Sequence, residues 1–418
     1  MTRKSLIQLN LLLFFVCLAA GCKGRPAQIE PANVLIIVID CLRPDHVGAN
    51  GYERPTTPNL DALAADSVNF TQAYAQAIWT HPSVPTILTG LYPSEHGLLD
   101  VEKDERGRAV GPALSPSVET LAERLKAAGF STALVGEQAH LSVNFRLNQG
   151  FDYYHYRADH AANIQRRFLK WLGKRQIPFC YEWRQLRTDL RTGAVVLSED
   201  DRQSMMARYD EELLGVDYWM GTLFAKLKDL NLWDDLMIVV IADHGEEFLE
   251  HGGICHESGP WDELLAVPLI IKPPASWHAP IGEQVDSLVE LRDLTPTILE
   301  ACGIPQDRDS RSLCPWLQGR SRKGDNRPFV AAETMEYIVI RTRKLKALFP
   351  RKGDKVVLYD LKQDPGETTN VVAQRREDLS RMKAYLTQWQ ERIRAVNPVY
   401  REIDRETADK LKALDYLN

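Results

Sequence analysis

Three nearly uninterrupted apolar runs punctuate the chain: Asn33-Val-Leu-Ile-Ile-Val-Ile39, Leu236-Met-Ile-Val-Val-Ile-Ala242 and Val267-Pro-Leu-Ile-Ile-Lys272. Short runs rich in β-branched residues, without polar alternation, predict strands buried on both faces of a parallel sheet. Helical periodicity occupies the intervals. Val118, Leu121, Leu125 and Ala128 share a face between Ser117 and Gly129, and a longer amphipathic repeat runs from Asp201 to Leu230. Ser131-Thr-Ala-Leu-Val135 reads as a further short strand. Strands alternating with helices predict an α/β fold, a large mixed, mostly parallel sheet between helices.

Beyond about residue 320 the pattern changes. Phe329 to Ala332, Tyr337 to Arg341, Leu345 to Phe349 and Val356 to Tyr359 follow one another without long helices. They predict a small C-terminal antiparallel subdomain, residues 321–418, closed by a helix from roughly Arg376 to Arg394. Residues 33–320 form the main domain. The N-terminus is different again. Arg3 and Lys4 precede an apolar run from Leu6 to Ala20, too short for a comfortable membrane span and suited to a signal peptide. The ending Leu18-Ala-Ala-Gly-Cys22 resembles a bacterial lipobox, so residues 1–21 are expected to be removed and Cys22 lipidated, with residues 22–32 as a tether. That places the protein at the bacterial cell envelope, on the periplasmic or extracellular face. Lys23, where an inner-membrane retention Asp would stand, favours the outer membrane.

Composition narrows the classes. With 418 residues, 44% hydrophobic and 26% charged, the chain is neither a disordered tail, a collagen nor a coiled-coil rod. Lys and Arg number 51 against 57 Asp and Glu, a formal net charge of −6 that leaves no basic excess for nucleic acid. Membrane contact is expected through the lipid anchor alone. Of the 7 cysteines, Cys17 leaves with the signal and Cys22 carries lipid; Cys41, Cys180, Cys255, Cys302 and Cys314 remain. An odd number leaves at least one thiol unpaired, and spacing alone leaves a Cys302–Cys314 bridge open.

Ligands of parallel sheets bind beyond the carboxyl ends of the strands. The first apolar run ends in Asp40 and the second in Asp243-His244-Gly245-Glu246. An acid straight after an apolar strand is costly unless a cation or a helix end receives it. Two acids and a histidine at such positions suit a divalent metal with oxygen and nitrogen ligands, although each acid alone would serve to cap the following helix. The third piece, Trp79-Thr-His-Pro-Ser-Val-Pro-Thr-Ile-Leu-Thr-Gly90, reads as a helix N-terminus. The hydroxyl of Thr80 there either caps the helix or, with a metal lowering its pKa, acts as a nucleophile.

The ordered pieces resemble the sulfatase family of the alkaline phosphatase superfamily over nearly the whole chain after the tether. They are Asn33 to Asp40, Arg54-Pro-Thr-Thr-Pro-Asn-Leu-Asp61, Leu88-Thr-Gly-Leu-Tyr-Pro-Ser-Glu-His-Gly97, Tyr209-Asp-Glu-Glu212 with Val216-Asp217, and Ala242-Asp-His-Gly-Glu246. Val267-Pro-Leu-Ile-Ile271, Asp293-Leu-Thr-Pro-Thr297 and Tyr359-Asp-Leu-Lys-Gln-Asp-Pro-Gly-Glu-Thr-Thr-Asn370 continue the series. The resemblance implies a hydrolase of anionic esters with one divalent metal ion, calcium, manganese or zinc not being distinguishable, held by Asp40, Thr80, Asp243 and His244. It implies Thr80 as the nucleophile. It places His256 near the substrate as leaving-group acid or anion ligand. His251 follows as a substrate or second-metal ligand or a solvated loop residue, and Arg43 as an anion contact.

The departures redirect the chemistry. Where the family carries Cys or Ser in C/S-x-P-x-R, convertible to formylglycine, this chain has Thr80-His-Pro-Ser-Val84. Cys41 replaces a second metal Asp, and Gly136-Glu137-Gln138 replaces the stretch that supplies a sulfate-binding Lys. What is left resembles the threonine branch of the superfamily, in which Thr attacks phosphorus. The expectation is a hydrolase or transferase acting on a small anionic ester, possibly of a sugar or lipid headgroup, with phosphate or phosphonate favoured. Sulfuric-ester hydrolysis by unmodified Thr80 is the first alternative, and a non-catalytic binding lipoprotein the second. His96 is expected in a structural contact, His81 exposed, and Asp210 and Asp217 in buried hydrogen bonds.

Overall fold

The computed structural model describes residues 32–99, 102–103, 109–156, 188–190, 192–256, 259–306, 311–320, 327–394 and 399–413. The signal segment, Cys22 and all but the last residue of the tether lie outside them, as does most of the insertion from about His155 to Val196.

The main sheet contains β1 (Asn33–Val38), β2 (Val68–Tyr74), β3 (Leu236–Ile241), β4 (Ala266–Lys272), β5 (Glu283–Val285) and β6 (Val289–Glu290). Its order is β1-β3-β4-β2-β5, with β6 also on β2. The sheet is mixed. β1 pairs parallel with β3, from Asn33 opposite Leu236 to Val38 opposite Ile241, and β5 and β6 run parallel to β2. β4 departs from the parallel arrangement expected of it, running antiparallel to both β3 and β2. Because β4 reverses between them, β1, β2 and β3 all point the same way. Their carboxyl ends therefore share one edge of the sheet.

Burial follows position in the sheet. Met237 to Ile241 are 0% exposed at the centre, whereas β1, at one end of the order, is half-buried with Val38 exposed. The continuous apolar run was thus a sound guide for β3 and an overstatement for β1. Helices α1 (Pro58–Ala65), α2 (Thr80–Thr89), α3 (Leu121–Ala127), α4 (Glu199–Asp229) and α5 (Leu294–Ala301) pack around this sheet. α4 opens with a reciprocal cap: Ser198 Oγ accepts from Asp201 N at 3.2 Å, and Asp201 Oδ2 accepts from Ser198 N at 2.9 Å. Further along α4, Asp217 accepts from the backbone N–H groups of Asn59 at 3.0 Å and Leu60 at 2.8 Å, so its charge sits at the positive end of α1.

The four strands β7 (Val330–Glu333), β8 (Tyr337–Arg341), β9 (Leu345–Pro350) and β10 (Val357–Asp360) form an antiparallel meander. Helix α6 (Arg376–Arg392) covers it through Met382 and Trp389. A buried ionic cluster ties the meander to the main domain. Lys346, 0% exposed on β9, reaches Glu367 at 2.7 Å and Asp262 at 3.0 Å, and Arg341 joins Asp262 at 2.7 Å. Against the burial that would raise it, Arg341 and Lys346 hold the Asp262 carboxyl well below the usual range.

The last described residues do not stay with the meander. Val399–Glu402 pairs antiparallel with Ala109–Ala113, and Ile403, Ala408 and Leu411 pack with Leu98, Leu114 and Phe145. Residues expected to belong wholly to the C-terminal subdomain therefore complete a core of the main domain.

Candidate active site

The shared strand edge gathers the residues. Asp40 stands two positions beyond β1, Asp243 and His244 two and three beyond β3, and Thr80 opens α2 five residues after β2 leaves the sheet at Ala75. Trp79 is extended, with φ −157° and ψ 162°, and Thr80 is the first helical residue. The Asp243-His244 turn is pinned from below. Gly245 donates to Leu264 O at 2.8 Å, and a Cβ at Gly245 would lie 1.9 Å from Glu263 O, so only glycine fits.

His244 sets the geometry. Its Nδ1 is 2.8 Å from the carbonyl of Gly245, which can only accept, so Nδ1 carries the proton and Nε2 presents a lone pair. That lone pair faces Thr80 Oγ1 at 3.2 Å, Asp40 Oδ1 at 3.4 Å and Asp243 Oδ2 at 3.5 Å. His244 and Asp243 are buried, and Asp243 Oδ2 has no hydrogen-bond donor. Three acceptors, two of them buried and the third on the exposed Asp40, repel one another unless a cation lies among them. Burial pushes the Asp243 carboxyl up to about 6, with His244 opposing and Asp40 adding to the rise. The donor set therefore fits a divalent cation, held by Asp40, Asp243 and His244 with the Thr80 hydroxyl alongside.

His256 borders the same centre. Its ring lies 4.6 Å from that of His244, and its Nδ1 is 3.8 Å from Glu246 Oε2 and 3.9 Å from Cys41 Sγ. Burial, then the carboxylates of Asp40, Glu246 and Asp243, push the Cys41 thiol well above its usual range. Gln138 donates to Asp40 Oδ2. Cys41 and Gln138 had been noted only as departures from a family pattern, and Glu246 only as part of Asp243-His-Gly-Glu246. The family pattern signalled Cys41, at the place of a second metal Asp, but not the contacts of Gln138 with Asp40 and of Glu246 with His256.

Two expected site residues are held elsewhere. Arg43 forks Asp45 at 2.7 and 2.9 Å, reaches Glu250 at 2.7 Å and Glu246 O at 3.0 Å, and lies over Phe248. This guanidinium orders the turn after β1 against the 246–250 loop and is not available as the anion contact expected of it. His251 stacks on Trp261 at 3.9 Å between ring centroids and faces Glu263 at 3.6 Å. Against the pull of burial, Glu263 raises its pKa, which makes His251 a packing and ion-pair residue.

Other histidines follow their surroundings. His96 is buried, accepting at Nδ1 from Leu98 N at 3.1 Å, with Nε2 3.1 Å from Pro82 O. This is the structural contact expected. His81 is not exposed as expected. It is 1% exposed among Trp79, His140 and Phe145, because its place on α2 turns it into a second core that the sequence does not show. Asp210 joins His46 at 2.8 Å and Tyr52 at 2.8 Å, and Asp217 caps α1, both in buried hydrogen bonds. Cys302 and Cys314 are free thiols, bonded to Ala32 O and Thr297 O respectively.

Comparison with known proteins bears on family and fold. A family model described as Sulfatase matches residues 32–170 and 155–304, and one described as N-sulphoglucosamine sulphohydrolase, C-terminal, matches residues 259–394. Arylsulfatase A of Homo sapiens is 25% identical over 448 aligned positions, covering 85% of this chain and 86% of that protein. Among solved structures, a 2-O GAG sulfatase superposes with a TM-score of 0.71 at 20% identity, covering 87% of this chain and 92% of the other. A phosphonate monoester hydrolase of Agrobacterium radiobacter gives 0.69 at 21% identity, covering 89% and 100%.

Proposed function

The chain belongs to the sulfatase family of the alkaline phosphatase superfamily, hydrolases of sulfuric and phosphoric esters, and from this we propose that it cleaves a singly charged phosphorus ester, a phosphodiester or phosphonate monoester, with Thr80 as nucleophile. The observation that carries the reading is the lone pair of His244 Nε2, 3.2 Å from Thr80 Oγ1 and facing two carboxylate oxygens. A divalent cation held by Asp40, Asp243 and His244 would lower the pKa of the Thr80 hydroxyl and offset negative charge on the bound ester.

The residues divide the work as follows. Thr80 Oγ1, its proton lost to solvent beforehand and not regained between turnovers, attacks phosphorus in line. The bond from phosphorus to the departing alcohol oxygen breaks as His256 gives that oxygen a proton. Water then attacks the phosphorylated Thr80, its proton passing to His256, and the threonine oxygen leaves. The N-terminus of α2 under Thr80 favours the growing negative charge at each attack. Glu246 Oε2, 3.8 Å from His256 Nδ1, lies where it can orient the ring for that proton transfer.

Charge supports the monoanion preference, which phosphodiesters, phosphonate monoesters and sulfate esters share. Asp40 and Asp243 would neutralise a divalent cation, Arg43 is bound to Asp45 and Glu250, and Glu137, in place of a family Lys, is exposed. His256, its ring 4.6 Å from that of His244, would when protonated supply one positive charge, enough for one anionic charge and poorly matched to a dianion. The covalent step supports phosphorus. A phosphothreonine is released by water attack at phosphorus, whereas formylglycine releases sulfate by another route that Thr80 lacks. A sugar or lipid headgroup is the alcohol we favour, and Cys22 the anchor that would bring the enzyme to the cell envelope.

Sulfuric-ester hydrolysis is the second reading, favoured by arylsulfatase A among the relatives. Paired turnover of para-nitrophenyl phosphodiester, phosphonate, phosphomonoester and sulfate by metal-loaded wild type and Thr80→Ala separates the two. Diester or phosphonate turnover lost in the variant supports the first. Sulfate turnover alone, equally lost, moves the assignment to the second.

A further inference from the structure

A cleft of about 620 Å³ opens where the main domain meets the meander and α6. One wall holds Tyr92 and Arg292 of the main domain, and the other holds Phe329, Trp389 and Arg392. Tyr92 follows the carboxyl end of α2, whose 10 residues rise about 15 Å from Thr80. The cleft thus lies at the far end of the helix that carries Thr80, and none of Asp40, Asp243, His244 and His256 lines it.

Five arginines line the cleft: Arg292, Arg311, Arg327, Arg392 and Arg394. Its carboxylates are already engaged. Glu290 accepts from Tyr92 Oη at 2.8 Å and Ala331 N at 2.9 Å and pairs with Arg327, which also takes Asp293 at 2.7 Å. Glu95 accepts from the backbone N–H groups of Tyr92 at 3.0 Å and Arg394 at 3.3 Å. Arg292 gives Nε to Gly90 O at 3.1 Å and lies over the Tyr92 ring at 4.3 Å, without an ion pair. Arg394 reaches only the carbonyl of Glu391, at 3.5 Å, and Arg392 is exposed on the last turn of α6.

Donors therefore outnumber acceptors on both walls. Trp389 is 4% exposed, and its indole N–H meets no acceptor. A buried donor without an acceptor is costly, and so is a guanidinium drawn from water without an anion. Against Glu95, Glu290 and Asp293, the five guanidiniums leave an excess of two positive charges. Guanidinium groups fork the oxygens of phosphate in pairs, and a phosphate monoester or inorganic phosphate carries close to two negative charges at neutral pH.

We propose that this cleft is an anion site separate from the catalytic centre, which takes a dianionic phosphoryl group between Arg292 on one wall and Arg392 on the other, with Arg394 beside them. Its preference is opposite to that of the catalytic centre, where a single charge is favoured. Because Arg292 also holds the carbonyl of Gly90, the bound group sits against the residue that ends α2.

The test is calorimetric titration at pH 8 of the metal-loaded whole chain carrying Thr80→Ala, which prevents turnover. The probes are inorganic phosphate, glucose 6-phosphate and the monoanion dimethyl phosphate. Phosphate is expected to bind a site that survives a further Asp243→Ala change, and dimethyl phosphate to bind it at least tenfold more weakly. Arg392→Gln with Arg394→Gln should raise the Kd for phosphate at least tenfold without lowering Tm, since both side chains are exposed. Gln388→Glu, which adds a carboxylate to the lining and removes no arginine, should do the same. Lys352→Gln with Lys355→Gln, an equal loss of charge on an exposed turn of the meander, should leave Kd within twofold. Tighter binding of glucose 6-phosphate than of phosphate would assign the group to a phosphorylated saccharide, and equal binding to the free ion. Loss of all phosphate binding in Asp243→Ala overturns the proposal, as does an unchanged Kd in both cleft variants. An equal loss in the lysine variant would reduce the effect to general charge and overturn it too.

Discussion

Thr80 Oγ1 lies 3.2 Å from His244 Nε2, although the two residues are 164 positions apart in the chain. The contact exists because β2 and β3 point the same way on either side of the reversed β4, so the helix that follows β2 starts beside the turn that follows β3. With the Nδ1 proton held by the carbonyl of Gly245, the imidazole meets the hydroxyl with a lone pair. A lone pair beside two carboxylates cannot act as a simple proton donor to substrate. The arrangement makes chemical sense as one side of a cation site with a nucleophile at its margin.

Removal of the Thr80 hydroxyl is therefore expected to abolish turnover. Thr80→Ala should lower kcat/KM toward para-nitrophenyl phosphodiester by about a thousandfold or more, since a nucleophile acts as a unit with its activating groups. Thr80→Ser, which keeps the oxygen, should retain measurable activity. Cation content measured alongside should persist in both variants, because Asp40, Asp243 and His244 are untouched. Equal activity in Thr80→Ala and wild type would remove Thr80 from the chemistry.

His256 is predicted to matter in proportion to the leaving group. With an alkyl ester, whose alcohol needs a proton, His256→Gln should cost about 100- to 10,000-fold in kcat, the usual range for a general acid. With para-nitrophenyl esters, whose phenolate leaves unaided, the loss should be much smaller. A uniform loss across both substrates would make His256 an anion ligand instead.

The cation itself should be visible as stability. A ligand bound only by the folded chain, present at a hundred times its Kd, contributes about 2.7 kcal/mol. Treatment with a chelator should lower Tm, and readdition of metal should restore it. In Asp243→Asn the chelator should change Tm little. An unchanged Tm in chelator-treated wild type, with full metal loss verified, would argue against a structural share for the ion.

Much of this was legible before any coordinates, and the reasons are local. The apolar runs ending in Asp40 and Asp243, and the helix start at Thr80, mark strand ends and a helix N-terminus by residue type alone. The meander strand Tyr337–Arg341 and the start of α6 at Arg376 also follow from periodicity and turn residues. Strand β2 was missed, since Val68-Asn-Phe-Thr-Gln-Ala-Tyr74 mixes polar and apolar residues without clean alternation. The direction of β4 was also hidden, because an apolar run carries no sign of which way its neighbours run. Arg43 and His251 were misplaced for a related reason: a basic residue near a site motif looks the same whether it faces a substrate or Asp45, Glu250 and Glu263. The return of Val399–Glu402 onto Ala109–Ala113 depends on pairing between segments far apart in the chain, which sequence spacing does not encode.

The junction between meander and main domain rests on Lys346. Its ammonium is fully buried between Glu367 and Asp262. Lys346→Met keeps the length of the side chain but leaves Glu367 without its cation, and Asp262 with Arg341 alone. Breaking a buried pair from one side typically costs about 3–5 kcal/mol. Urea unfolding should show a loss of that size. A loss below about 1 kcal/mol would mean that the cluster is relaxed by water in solution.

Acid stability follows from His96. Burial pushes its pKa down to about 3, from the usual 6.5, with His81 adding and the Pro82 carbonyl opposing. The sign is fixed by which state takes the proton. Between about pH 6.5 and 3 the unfolded chain protonates this histidine and the folded chain does not, so the stability present above 6.5 is lost as pH falls through that window. One such group removes about 2 kcal/mol by pH 5. Carboxylates elsewhere also titrate at the lower end, so the informative quantity is a difference between proteins. His96→Gln retains a donor and an acceptor but no titration. It should be less stable than wild type at pH 7.5 by about 1–2 kcal/mol from imperfect hydrogen bonding, and should lose less stability on acidification to pH 5. Urea midpoints at the two pH values, compared between wild type and variant, measure the slope directly. Parallel slopes would show that His96 is protonated in the folded protein, and that its contacts with Leu98 and Pro82 rearrange to allow it.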